Sequence, residues 1–176
     1  MKRLAATPAT AAGKTTRRRL IETLPAFGAG LLAAGPAAAQ QGSAAKPKAE
    51  RFPGDPPEHK LVYQLNKAGD EHGEAILNSI GAMIGKYADN VAIAVVAFGP
   101  GIHLLAKAPK RPVSAQLRER ARSQAKSYRV RFIACGNTMK TYRWTGQDMV
   151  DFAEVEEVGA STLMELQEQG YAYIAW

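Results

Sequence analysis

Val91-Ala92-Ile93-Ala94-Val95-Val96-Ala97-Phe98 is an unbroken apolar run that halts at Gly99-Pro100-Gly101. A run with no polar alternation, bounded by turn residues, reads as a strand covered on both faces, which points to a parallel sheet. Upstream, Lys60-Leu61-Val62-Tyr63-Gln64-Leu65 reads as a first strand ending at Asn66-Lys67. Between the two, Ile76, Leu77, Ile80, Met83, Ile84 and Tyr87 recur at three and four, so one helical face is apolar. Asp70 reads as the N-cap of that helix, with Glu71 and Glu74 where the helix dipole favours acid. Asp89-Asn90 closes it.

Downstream the alternation continues. Ile102–Ala106 reads as a short helix, and Pro109 and Pro112 break the chain. Ser114 is placed to cap a helix over 115–127, with Leu117, Ala121 and Ala125 as its narrow apolar stripe. Arg118, Arg120, Arg122 and Lys126 spread over the rest of that helix as a solvated face. Tyr128-Arg129-Val130-Arg131-Phe132-Ile133 alternates apolar and basic residues as a strand does. A fourth strand is expected around Phe152–Val155. Ser161 opens a last helix through Leu163 and Leu166, closed by Gly170, before a final strand over Tyr171–Ile174. The expected fold is α/β: three layers, α/β/α, around a mainly parallel sheet of about five strands.

The 176 residues carry a net charge of +7, but the excess is local. Residues 1–39 hold Lys2, Arg3, Lys14, Arg17, Arg18 and Arg19 against Glu22 alone. Removing these six from 23 basic and one from 16 acidic residues leaves 17 against 15, a net of +2. So even a balance argues against a nucleic-acid binder. Thr16-Arg17-Arg18-Arg19-Leu20-Ile21 resembles a twin-arginine export signal. A modest apolar stretch and the small residues Ala37-Ala38-Ala39 follow, making Gln40 the expected mature start. The apolar stretch is broken by Pro25 and Pro36 and falls short of the ~20 residues a membrane span needs, so the mature form is expected to be periplasmic without a stable span. Gly42, Ser43, Pro47, Pro53, Pro56 and Pro57 mark residues 40–57 as a flexible linker, leaving 58–176 as the folded domain.

The chemistry concentrates at Ala134-Cys135-Gly136-Asn137-Thr138, which holds the one cysteine of the chain. A single cysteine makes no internal disulfide and no cysteine-rich zinc site. It falls where a strand ends and Met139, Lys140 and Tyr142 begin a helix turn. Backbone N–H groups at a helix start favour the thiolate, the reactive form. Gly136 lets the backbone turn and a ligand come close. The competing reading is a buried cysteine acting as a small hydrophobe.

In a parallel sheet, ligands bind beyond the carboxyl ends of the strands. That edge should gather Asn66, the loop with Gly101 and His103, and Cys135, Gly136, Asn137 and Thr138. His103 suits either proton transfer or packing, and Gly99-Pro100-Gly101 either an anion cradle or a tight turn. Three histidines without regular spacing predict no metal site, and no cofactor is implied.

Leu61–Asn66, Ala97–Leu105, Phe132–Thr138 and Gln169–Ile174 together resemble the DsrE/DsrF-like sulfur-relay family over roughly residues 59–175. The resemblance implies a compact α/β/α domain that assembles into homo- or hetero-oligomers, often trimers or hexamers, and a homo-oligomer is expected here. It also implies that Cys135 carries sulfur as a persulfide, exchanged with a donor or acceptor protein. The alternative is a non-catalytic oligomeric module that binds a small ligand at the same edge.

Overall fold

The computed structural model describes residues 50–176. The leader and the first part of the linker lie outside the described residues. Strand β1 (His59–Leu65) is followed by α1 (Asp70–Tyr87), β2 (Val91–Ala97) and a 3-10 helix over Gly99–Leu105. Next come α2 (Ala115–Tyr128), β3 (Arg131–Cys135) and α3 (Gly136–Tyr142). A 3-10 turn (Gly146–Asp148), β4 (Ala153–Glu156), α4 (Gly159–Glu168) and β5 (Ala172–Ile174) complete the domain.

The five strands form one sheet in the order β4-β3-β2-β1-β5, every pair parallel. The chain lays β1 to β4 side by side in one direction, then returns past β1 to place β5. Right-handed crossovers put helices on one face during the outward run and on the other during the return. The core follows that plan. Leu61, Tyr63, Leu65, Ile93, Val95, Phe132 and Ala134 pack in one cluster with Ile76, Leu77 and Ile80 of α1 and Leu117 and Ala121 of α2. The alternate residues Val62, Ala94, Val96 and Ile133 pack with Leu163 and Leu166 of α4. Tyr63 and Phe132 are fully buried, each worth roughly 1.5–3 kcal/mol of apolar transfer. The Tyr63 hydroxyl keeps a partner, Ser79 Oγ at 3.0 Å, so its burial leaves no orphan. Among the described residues, no helix is long and apolar enough to cross a membrane.

Local chemistry departs from the sequence expectations at three element ends. Gly69, at φ 106°, is the N-cap of α1 in place of Asp70. The Asp70 carboxylate instead accepts from Ser114 N at 3.1 Å and ties the start of α1 to that of α2. Ser114 caps α2 as expected, accepting from Leu117 N at 3.1 Å. Helix α2 runs on through Tyr128, and Arg129 takes a left-handed φ of 57° before β3 begins at Arg131. The alternating residues 128–130 are therefore the helix end and its turn: a period of two over three residues does not distinguish the two states. Ser161 does not cap α4, which starts two residues earlier at Gly159; its hydroxyl donates to Val158 O at 2.8 Å. Gly170 does close α4, with φ 88° and paired bonds from Gly170 N to Gln167 O and Tyr171 N to Leu166 O.

Residues preceding β1 lie against the end of α1. Arg51 Nη1 meets Asp89 Oδ1 at 3.0 Å, and Gly54 N donates to Asp89 Oδ2 at 3.2 Å. These bonds, led by the one from Arg51, hold the Asp89 carboxyl below its ordinary range.

Candidate functional site

Cys135 is the last residue of β3 and the N-cap of α3. Its register neighbour on β4 is Glu156. The residue is 6% exposed. Gly159 N, at the first position of α4, donates to Cys135 Sγ at 3.2 Å. Two helix starts therefore meet at one sulfur, each offering backbone N–H groups that favour negative charge. Burial pushes the thiol up. The N–H groups of Gly159, Thr138 and Asn137 and the Thr138 hydroxyl pull it down, and the balance falls below the ordinary thiol value.

The predicted residues around the cysteine take distinct roles. A Cβ on Gly136 would stand 3.2 Å from Glu157 O and 3.3 Å from Glu156 O. The room that this glycine leaves is filled by the turn between β4 and α4, not by space for a ligand. Asn137 is exposed; its N–H donates to Glu157 O at 3.0 Å and its Oδ1 accepts from Lys140 Nζ at 3.4 Å. Thr138 Oγ1 accepts from Gly99 N at 3.0 Å and so joins the cysteine loop to the loop after β2. Gly101 is buried, and a Cβ there would meet Leu65 O at 2.1 Å and Asn66 N at 2.9 Å. The loops after β1, β2 and β3 thus converge, but backbone packs directly on backbone. Of Gly99-Pro100-Gly101, the structure makes a tight 3-10 turn. Asn66 lies in this junction with Oδ1 buried and without a partner.

His103 goes elsewhere. It is 1% exposed, and its Nδ1 accepts from Lys110 N at 3.2 Å. Its ring lies edge-on to Tyr142 (4.8 Å) and Trp144 (5.2 Å), at the far end of α3 from the cysteine. Burial, then Arg111 and Lys110, lower its pKa, so it stands as a neutral imidazole with the proton on Nε2. The small pocket beside it, with Leu65, Gly69 and Gly101 in its wall, holds about 10 Å³, room for about one water. A depression of about 850 Å³ lies at the opposite edge of the sheet, between Pro56, Ile84, Val91 and Tyr128. Cys135 lines neither. Among the described residues, no group of three His, Cys, Asp or Glu stands together so as to hold a metal ion.

Gly159 is the site residue that sequence reasoning passed over. A Cβ there would lie 3.0 Å from Cys135 Cβ, 3.4 Å from Sγ and 3.4 Å from Val96 Cγ1. The only hint in the chain is a small residue directly after Glu156-Glu157-Val158, at a strand-to-helix junction.

Residues 51–176 match the family described as DsrE/DsrF-like. A solved structure of a protein of unknown function from Methanobacterium thermoautotrophicum has the same fold. It aligns at a TM-score of 0.59 and 21% identity, over 68% of this chain and 100% of its own. No curated protein matches the chain.

Proposed function

The chain belongs to the DsrE/DsrF-like family, and from that premise we propose that it is an exported sulfur carrier whose Cys135 holds sulfur as a persulfide. The observation that carries this reading is the bond from Gly159 N to Cys135 Sγ at 3.2 Å, placed where two helices begin. It favours the thiolate, which is the nucleophile. In the first step the Cys135 thiolate attacks the outer sulfur of a donor persulfide. The new sulfur–sulfur bond forms on Cys135, the donor's own bond breaks, and the donor leaves as a thiolate with that electron pair. An acceptor thiolate then attacks the outer sulfur and releases Cys135 by the same exchange. The chain has no second cysteine to resolve the persulfide, so the acceptor is a separate molecule. The leader with Arg17-Arg18 supports a periplasmic location, and the family supports a homo-oligomer.

One observation favours a second reading. At 6% exposure, Cys135 is nearly sealed, which suits a structural thiol in a non-catalytic ligand-binding module. Intact-mass spectrometry after incubation with a persulfide donor separates the two. A carrier gains the mass of one sulfur atom, loses it to reductant, and gains nothing as Cys135→Ser. Absence of any sulfur adduct on the folded wild-type protein rejects the carrier.

A further inference from the structure

The turn that joins β4 to α4 covers the cysteine; behind it Glu156 ends the β4 ladder beside Cys135, and ahead of it Val158 O accepts from Thr162 N at 3.1 Å, Thr162 Oγ1 at 3.2 Å and Ser161 Oγ at 2.8 Å. Glu157 O accepts from Asn137 N at 3.0 Å, and Gly159 N donates to Cys135 Sγ at 3.2 Å. The carbonyls of Glu156 and Glu157 lie over Gly136. Outward, the same turn is bare: Glu156, Glu157 and Val158 are all exposed. Its one ion pair among the described residues, Glu157 Oε1 to Lys140 Nζ at 3.5 Å, joins two solvent-facing side chains and adds little. The strand leading into it, β4, is a four-residue edge strand paired on one side only. Exposed turns at the edge of a sheet open locally at free energies below that of global unfolding.

We infer that the Glu156–Gly159 turn is a lid over Cys135, and that the thiol becomes reachable by local displacement of this turn while the rest of the domain stays folded. Its use in sulfur transfer rests on the carrier reading; the opening itself does not. Closed, the lid supplies the Gly159 N–H that favours the thiolate and shields the sulfur from bulk oxidants. Open, it uncovers a thiolate beside the first turn of α3. One element thus couples reactivity to access.

Because Cys135 is the only thiol, iodoacetamide alkylation reports on this motion alone. The mature protein is alkylated at fixed pH in rising urea, all below the unfolding midpoint, and the logarithm of the rate is plotted against urea. Local opening exposes little surface, so the rate is expected to stay nearly flat and to join the global-unfolding slope only near the transition. A rate that climbs from zero urea with the full equilibrium slope overturns the lid, since the thiol is then reached only by whole-domain unfolding. A rate in plain buffer equal to that of a free thiol overturns it too, since nothing then covers the sulfur. Asn137→Pro provides a second arm: proline is tolerated in a first helical turn but removes the N–H that holds Glu157 O. The same N–H also pulls the Cys135 thiol down, so each rate is divided by the thiolate fraction measured for that protein, and the corrected low-urea rate is expected to rise about five- to tenfold, the weight of one backbone hydrogen bond. An unchanged corrected rate counts against the lid. Sulfur loading is followed by mass in parallel. Local opening without loading keeps the lid and removes the carrier; loading with a rate set by global unfolding does the reverse.

Discussion

Gly101→Ala tests the convergence of the three loops most directly. The added Cβ would stand 2.1 Å from Leu65 O, 2.5 Å from Leu65 C and 2.9 Å from Asn66 N. These atoms are backbone, so no side chain can swing aside. Leu65 O also accepts from Phe98 N at 3.1 Å, the bond that begins the turn. Relief requires the 3-10 helix to move off β1, and Ile102, Leu104 and Leu105 of that helix are core residues. Overpacking costs about 1–3 kcal/mol, here at the upper end because both partners are main chain. Loss of a buried hydrogen bond adds about 1 kcal/mol, and reduced freedom of the unfolded chain returns about 0.4–1 kcal/mol. The net is a loss of roughly 3 kcal/mol, or a fall in Tm of about 10 °C for a domain of this size. Urea unfolding followed by circular dichroism measures it. Gly146→Ala is the matched control, since its Cβ meets nothing within 4 Å, and it should stay within about 0.5 kcal/mol of wild type. A Gly101→Ala loss below about 1 kcal/mol would show that the loop yields freely and that this packing does not fix the edge.

Three further outcomes are expected. Thr138→Val removes a hydroxyl that pulls the Cys135 thiol down and strips Gly99 N of its acceptor. The thiol pKa, read from ultraviolet thiolate absorbance, should rise and stability should fall by about 1–3 kcal/mol; an unmoved titration removes Thr138 from the site. His103 is held neutral by burial, with a pKa below 6.5. The unfolded chain therefore binds more protons just below that value, and His103 makes stability fall as pH drops from about 6.5 towards its folded pKa. His103→Leu should flatten part of that slope, with His72, also lowered, carrying the rest; a slope identical to wild type refutes the assignment. Arg131→Ala breaks a pair with Glu154 whose members are 41% and 44% exposed, so despite its bidentate geometry the loss should be under about 1 kcal/mol and shrink in high salt. A salt-independent loss above 2 kcal/mol would mean the pair is a core contact.

Some of this protein was written in the order of its residues. The apolar run of β2, the three-and-four spacing of α1 and the Ser114 cap are local signals, and each survives in the fold. So does the position of Cys135 at a strand-to-helix junction. These are legible because a period or a cap is set by residues within a turn of one another. The rest was decided by tertiary structure. Gly159 stands 24 residues from the sulfur to which it donates. No spacing rule links the two; the crossover from β4 to α4 alone brings them together. Gln124 carries no local signal of its place, yet it is buried and donates to Leu77 O at 2.8 Å, because α1 lies over it. His103 sat in the same loop as Gly101, but the 3-10 turn aims it at Tyr142 and Trp144. Sequence declares which groups carry chemistry; burial, charge and reach are properties of what packs against them, and in a parallel sheet those neighbours arrive from distant crossovers.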